Sequence, residues 1–194
     1  MIICLDPGHG GRDPGACAGV CERELTLLIA RRAKEALLTQ GHRVVWTRTD
    51  SRQGPPPSAR PLVAARMRAG LLVSIHANAC ASPLARGVEA WYAAGSAGGM
   101  ELARGLLQAL AAEYGGPLTL RGAFPDTANR HRRLAVLRGC QRLKVASVLI
   151  ECGFLTNAED LAMMQSVEYG LALGRAIGRV ADRNRIVVHS LTNK

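Results

Sequence analysis

Three short segments place a side chain fit for metal binding or proton transfer where an apolar strand should end. Asp6-Pro7-Gly8-His9-Gly10-Gly11 follows the run Ile2-Ile3-Cys4-Leu5. Val73-Ser74-Ile75-His76-Ala77-Asn78 carries a second histidine, and Val148-Leu149-Ile150-Glu151-Cys152-Gly153 carries a carboxylate. Two histidines and a carboxylate suit a catalytic zinc ion, which takes three protein ligands from His, Asp or Glu and leaves a position for water. The carboxylate ligand reads as Glu22, which begins the first helix directly after the loop leaving His9. Glu24 is the local rival, two residues on and off the same helix face. Glu151 reads as a general base and then proton donor, because an unpaired carboxylate ending so apolar a strand is costly without a function.

Competing readings attach to the same residues. Either histidine alone could be a hydrogen-bonding residue in a turn, and Glu151 could be the buried partner of an arginine, Arg138 foremost. Cys17, Cys21 and His9 could form a structural zinc site, but that set lacks a fourth protein ligand. A Cys152 nucleophile beside His76 is disfavoured, since strand alternation points Cys152 away from the face of Glu151. His131 lies among arginines in a loop and could meet substrate, whereas His42 and His189 look incidental. Arg12, Asn78 and Arg138 are candidates for substrate contact or support near the cleft.

The elements that must position these residues follow from periodicity. Strands are expected at residues 1–6, 42–48, 71–76, 87–92, 134–137 and 145–151. Helices are expected at 22–40, 58–69, 98–114 and 167–182, with a short capping-box helix opening at Thr156-Asn157-Ala158-Glu159. Residues 115–133, rich in Gly, Pro and Arg, read as loop. The alternation argues an α/β, three-layer domain whose mostly parallel or mixed central sheet of about six strands is flanked by helices. Residues 1–182 form one catalytic domain in this reading, and 183–194 a polar tail.

The 194 residues are 48% hydrophobic and only 4% aromatic, enough for one full core. A formal charge of +10 implies attraction to polyanions. No aromatic residues interleave with the basic clusters, which argues against a specific nucleic-acid site. No apolar run of about 18 residues is present and no leader is visible, so neither a membrane span nor a signal peptide is expected. Half of the six cysteines lie in apolar strand-like segments, so they read as buried thiols and not as a disulfide framework; Cys17 and Cys21 share a loop and could pair or bind metal.

The chain resembles the zinc-dependent N-acetylmuramoyl-L-alanine amidases of the Amidase_3 family over about residues 2 to 180. The segments that carry the resemblance are residues 6–16, Glu22-Arg23-Glu24-Leu25-Thr26-Leu27, Ser74-Ile75-His76-Ala77-Asn78-Ala79, Arg86-Gly87-Val88-Glu89, Val136-Leu137-Arg138 and residues 148–157. The resemblance implies a phosphorylase/hydrolase-like fold, one Zn2+ held by His9, Glu22 and His76, and Glu151 as catalytic acid/base. It favours Glu22 over Glu24. The implied reaction is hydrolysis of the amide between the muramic acid lactyl group and L-alanine of peptidoglycan. The other readings are a zinc peptidase acting within the stem peptide and a non-catalytic basic wall-binding module. The loop from His9 to Glu22 is shorter than in many relatives, and the link from Tyr92 to Gly98 leaves no room for the inhibitory helix of division-associated relatives. The expected protein is a monomer acting at the wall among anionic polymers, either a phage- or prophage-type endolysin made in the cytoplasm or a secreted bacterial enzyme whose leader and wall-binding module were removed.

Overall fold

Apolar runs fully buried on both faces make the central strands. Ile3, Cys4 and Leu5 are buried in β1 (Ile2–Pro7), and residues 71–75 in β5 (Leu71–Asn78). Such runs suit a parallel sheet covered on both sides. The computed structural model describes residues 1–129 and 133–192, with side chains described through residue 183. Its remaining elements are β2 (Cys17–Ala18), β3 (Val20–Cys21), α1 (Glu22–Thr39), β4 (Arg43–Trp46), α2 (Arg60–Arg66), β6 (Val88–Tyr92), α3 (Ala97–Glu113), β7 (Leu120–Pro125), α4 (Ala135–Arg142), β8 (Ala146–Phe154), α5 (Ala158–Gln165) and α6 (Val167–Thr192).

The six-stranded sheet runs β4-β1-β5-β8-β6-β7. β4, β1, β5 and β8 are parallel, β6 is antiparallel to β8, and β7 returns parallel to β6, so the sheet is mixed. One face packs against α1, α3 and α6 through Ile29, Leu37, Leu106, Leu110, Leu173 and Ile177, all fully buried. Each contributes roughly 1.5–3 kcal/mol by leaving water. The opposite face carries a smaller cluster with α2 and α4, where Leu72, Trp91, Leu149 and Leu137 meet. The register sets His76 beside Glu151 and Glu89 on the other side of Glu151, so three polar side chains line up across β5, β8 and β6.

Four expectations about the elements are corrected. Residues 134–137 are not a strand; α4 begins at Ala135, and Val136, Leu137 and Cys140 bury one face at helical spacing. Residues 115–133 are not all loop, because 120–125 form the edge strand β7, whose Gly122, Pro125 and exposed residues mask its pattern. The cap of α5 is Asn157, whose side chain accepts from Glu159 N and Asp160 N; Thr156 Oγ1 instead accepts from Cys80 N. Finally, α6 continues past Asp182 to Thr192, with no glycine or proline to stop it. The link from β6 to α3 is short, residues 93–96, and Ser96 caps α3 by accepting from Gly99 N.

Candidate metal centre

His9 leaves β1 in the left-handed region, with φ 61°. This turns its ring toward α1, where Nε2 lies 3.0 Å from Glu22 Oε2. Its other nitrogen, Nδ1, is 2.8 Å from Asp13 Oδ2, which fixes the orientation of the ring. His76, near the end of β5, places Nδ1 3.0 Å from Glu22 Oε1. The two rings stand edge to face with centroids 5.0 Å apart, and one donor atom from each of His9, Glu22 and His76 falls within 4.8 Å of the others.

The backbone makes this convergence possible at two glycines. A Cβ on Gly8 would sit 2.4 Å from Cε1 of His76, so the His76 ring occupies the space a side chain would need. Gly15 has φ +68°, and a Cβ there would meet Glu22 Oε2 at 2.7 Å and His9 Cδ2 at 2.8 Å. Glu22 is held from behind by Ala77 N (3.1 Å) and Ala16 N (3.2 Å). Burial opposes its charge, but the hydrogen bonds and charges of His76 and His9 win and hold the carboxyl well below its usual range. Burial also opposes a charged His9, yet Glu22 and Asp13 outweigh it and carry the imidazole up to about 9.

Glu151 lies in the same cleft, whose volume is about 620 Å³. The residue as a whole is half-buried, but its Oε2 is shielded from solvent and has no hydrogen-bond partner among the described residues. Burial pushes its carboxyl up to about 7; His76 pulls the other way, and the negative charges of Glu22 and Glu89 reinforce the rise. Glu151 therefore shares a cleft with a metal-competent triad and has a carboxyl able to give or take a proton near neutral pH.

The competing readings separate cleanly. Arg138 sits on α4 and grips Asp126 through Nε and Nη2, both at 2.7 Å, so it is not the partner of Glu151. Glu24 is exposed and pairs with Arg23. Of the two alternatives open for Cys17 and Cys21, pairing and metal binding, they take the first: a disulfide across the β2–β3 hairpin, which removes their thiolates as ligands. Cys152 is fully buried in the core on the other face of β8, its thiol pushed up to about 12 by burial, which excludes it as a nucleophile. His42 is buried beside the N-terminal amine, and His131 and the side chain of His189 lie outside the described residues.

Of the three support candidates, only Asn78 lines the cleft, where its Nδ2 donates to Glu89 Oε1 at 3.1 Å. Arg12 is exposed and not among the lining residues, and Arg138 ties Asp126, just after β7, to Ala94 O in the link between β6 and α3. Sequence reasoning missed Asp13 and Glu89 as parts of the site. Asp13 stands four residues after His9, close enough to have been weighed as its partner. Glu89 was detectable only as a second carboxylate alternating inward on β6.

Residues 3–181 match the family Amidase_3, described as N-acetylmuramoyl-L-alanine amidase. The chain is 33% identical over 178 residues to the N-acetylmuramoyl-L-alanine amidase LytC of Bacillus subtilis, covering 90% of this chain and 34% of LytC. It is 30% identical over 182 residues to the germination-specific N-acetylmuramoyl-L-alanine amidase of the same organism, covering 87% of this chain and 73% of that protein. The crystal structure of an N-acetylmuramoyl-L-alanine amidase from Clostridium difficile 630 superposes with a TM-score of 0.80 at 29% identity, covering 100% of this chain and 97% of that one. The chain spans less than half the length of several curated relatives. Among the described residues no helix is long and apolar enough to cross a membrane.

Proposed function

The chain belongs to the N-acetylmuramoyl-L-alanine amidase family, and we propose that it hydrolyses the amide joining the lactyl group of N-acetylmuramic acid to L-alanine of the peptidoglycan stem peptide. One zinc ion per chain would be held by His9, Glu22 and His76. The observation that carries this reading is the convergence of those three donor groups in one cleft with Glu151, whose Oε2 is shielded and has no hydrogen-bond partner among the described residues. Two imidazole nitrogens and a carboxylate are a donor set that zinc favours at catalytic sites. When bound, zinc supplies Lewis acidity, polarising the substrate carbonyl and acidifying water.

The chain's own groups do the rest. Asp13 keeps Nδ1 of His9 engaged, so Nε2 is the nitrogen presented to the centre. Ala77 N and Ala16 N hold Glu22 in place. Glu151 takes a proton from the attacking water and returns it to the alanine nitrogen as the C–N bond breaks. Asn78 and Glu89 form a polar wall of the cleft beside that carboxylate. His9 and His76 each keep part of their surface in contact with solvent, which supports a site open to substrate.

The partner is peptidoglycan, with anionic wall polymers attracted by the +10 charge. The Cys17–Cys21 disulfide suits a protein that works outside the cytoplasm, where thiols stay oxidised. The test is digestion of purified peptidoglycan by the zinc-loaded protein, followed by end-group analysis. Free lactyl carboxylates and new L-alanine amino termini support the proposal, and E151Q should abolish them while zinc content stays at one per chain. New termini elsewhere in the stem peptide would make the protein a peptidase instead and overturn the assignment.

A further inference from the structure

The end of β1 carries more buried charge than a strand-to-loop junction requires. Asp6 is fully buried and accepts from Ser74 Oγ (2.7 Å), Arg60 Nη1 (2.8 Å) and Thr47 Oγ1. Arg60, also buried, gives its other hydrogen bonds to main-chain carbonyls: Nη1 to Pro7 O and Nη2 to His9 O, both 2.8 Å, and Nε to Pro55 O at 3.1 Å. Arg48 is 2% exposed, and no carboxylate among the described residues forms an ion pair with it. Its Nε donates to Pro7 O (2.9 Å), and Nη2 lies within reach of Gly8 O (2.7 Å), Arg23 O (2.8 Å) and Thr26 Oγ1 (3.1 Å). Thr26 Oγ1 in turn donates to Gly8 O at 3.0 Å.

Two neighbouring guanidiniums thus hold three successive carbonyls, those of Pro7, Gly8 and His9. Burying two like charges side by side is unfavourable; burial and the charge of Arg60 pull Arg48 down to about 10. What the arrangement secures is local geometry. His9 adopts a left-handed backbone that side chains other than glycine rarely take, and its direction decides where Nε2 falls. Arg23, whose carbonyl Arg48 also takes, follows Glu22 directly on α1.

We infer that Arg48 and Arg60 are positioning residues of the metal centre: Arg60 locks the left-handed turn at His9, and Arg48 is the strut between that turn and the start of α1, setting His9 against Glu22. The inference rests on His9 and Glu22 being zinc ligands. A lysine cannot replace either arginine, because one ammonium lacks the planar fork that reaches several carbonyls at once.

The test uses the whole protein as R48K, R60K, T26V and S74A. Zinc dissociation constants are read by competition with a chromophoric chelator, the visible spectrum is read after cobalt loading, and folding is checked by circular dichroism of the metal-free protein. Folded R48K and R60K should bind zinc about 10–100-fold more weakly and show an altered cobalt spectrum, as expected for residues that orient ligands. T26V removes a partner of Arg48 Nη2, and S74A removes a donor to the Asp6 carboxylate that anchors Arg60, so each loosens one guanidinium and should lose a few-fold. Wild-type zinc affinity and cobalt spectrum in folded R48K and R60K would overturn the inference. Should those two variants fail to fold, wild-type affinity in both T26V and S74A would overturn it. An H9A variant that binds zinc like wild type would overturn the ligand assignment instead.

Discussion

Replacing Glu151 with glutamine should stabilise the metal-free protein at neutral and alkaline pH while removing its activity. Burial raises the Glu151 carboxyl from 4.5 to about 7. The folded protein therefore keeps a proton that the unfolded chain has already released, and rising pH favours the unfolded chain. The contribution is fully present below the unfolded value of 4.5 and is lost as pH rises through about 7. At 1.36 kcal/mol per pH unit the shift corresponds to about 3 kcal/mol, of which about 2–3 kcal/mol falls between pH 5 and pH 8. Glutamine cannot ionise, so the stability of E151Q relative to wild type should grow by about that amount across the interval. His9, raised to about 9, loses stability in the same direction, but it is present in both proteins and cancels to first order in the difference. Urea unfolding of both proteins in the presence of a chelator, at about pH 5 and about pH 8, measures the effect. Parallel pH dependence in the two proteins would refute the reasoning, since it would mean that Oε2 is solvated or paired.

Three further perturbations probe the centre from other sides. G8A pushes a methyl group into the His76 ring, which a Cβ would approach to 2.4 Å, so it should cost about 1–3 kcal/mol of stability and weaken zinc binding, read by urea unfolding and chelator competition. D13N should weaken zinc binding about 10–100-fold with little change in the unfolding midpoint of the metal-free protein, because Asp13 is exposed and asparagine still offers an oxygen to Gly15 N, while the carboxylate partner of His9 Nδ1 is lost. The C17S/C21S double variant should lose about 2 kcal/mol, the loop-closure contribution of so short a ring, and a thiol reductant should lower the thermal midpoint of wild type but not of the variant.

The site was more legible in the sequence than the elements around it, for a physical reason. His9, His76 and Glu151 end apolar strands, and a polar group there is conspicuous against Ile2 to Leu5, Leu71 to Val73 and Val148 to Ile150. Parallel strands also aim their carboxyl ends at one crevice, so placing the three together needed only the strand order. β7 was illegible because an edge strand is held by pairing to β6, and its outward residues carry no apolar alternation. α4 was misread because Leu134 to Leu137 is too short to distinguish two periods, and only Cys140, one turn on, completes the helical face. Arg48 and Arg60 were illegible for a different reason. Their acceptors are main-chain carbonyls, which every sequence supplies, so no partner residue marks them.

The two carboxylates of the centre show why composition alone could not divide the roles. Glu22 and Glu151 are the same side chain in one cleft, yet their environments drive them apart. Glu22 receives two main-chain N–H groups and two imidazoles, all of which favour the charged form, the state its proposed role as a ligand requires. Glu151 has an oxygen with no donor, shielded from water and flanked by Glu22 and Glu89, so its charged form is disfavoured and the proton is retained near neutrality. Both environments are set by backbone placement. Ala16 N comes from the turn into the β2–β3 hairpin and Ala77 N from β5, whereas β8 brings no such donor to Oε2. In the proposed mechanism the carboxylate that would hold the metal thus lies where amides converge, and the one that would carry the proton lies where they do not.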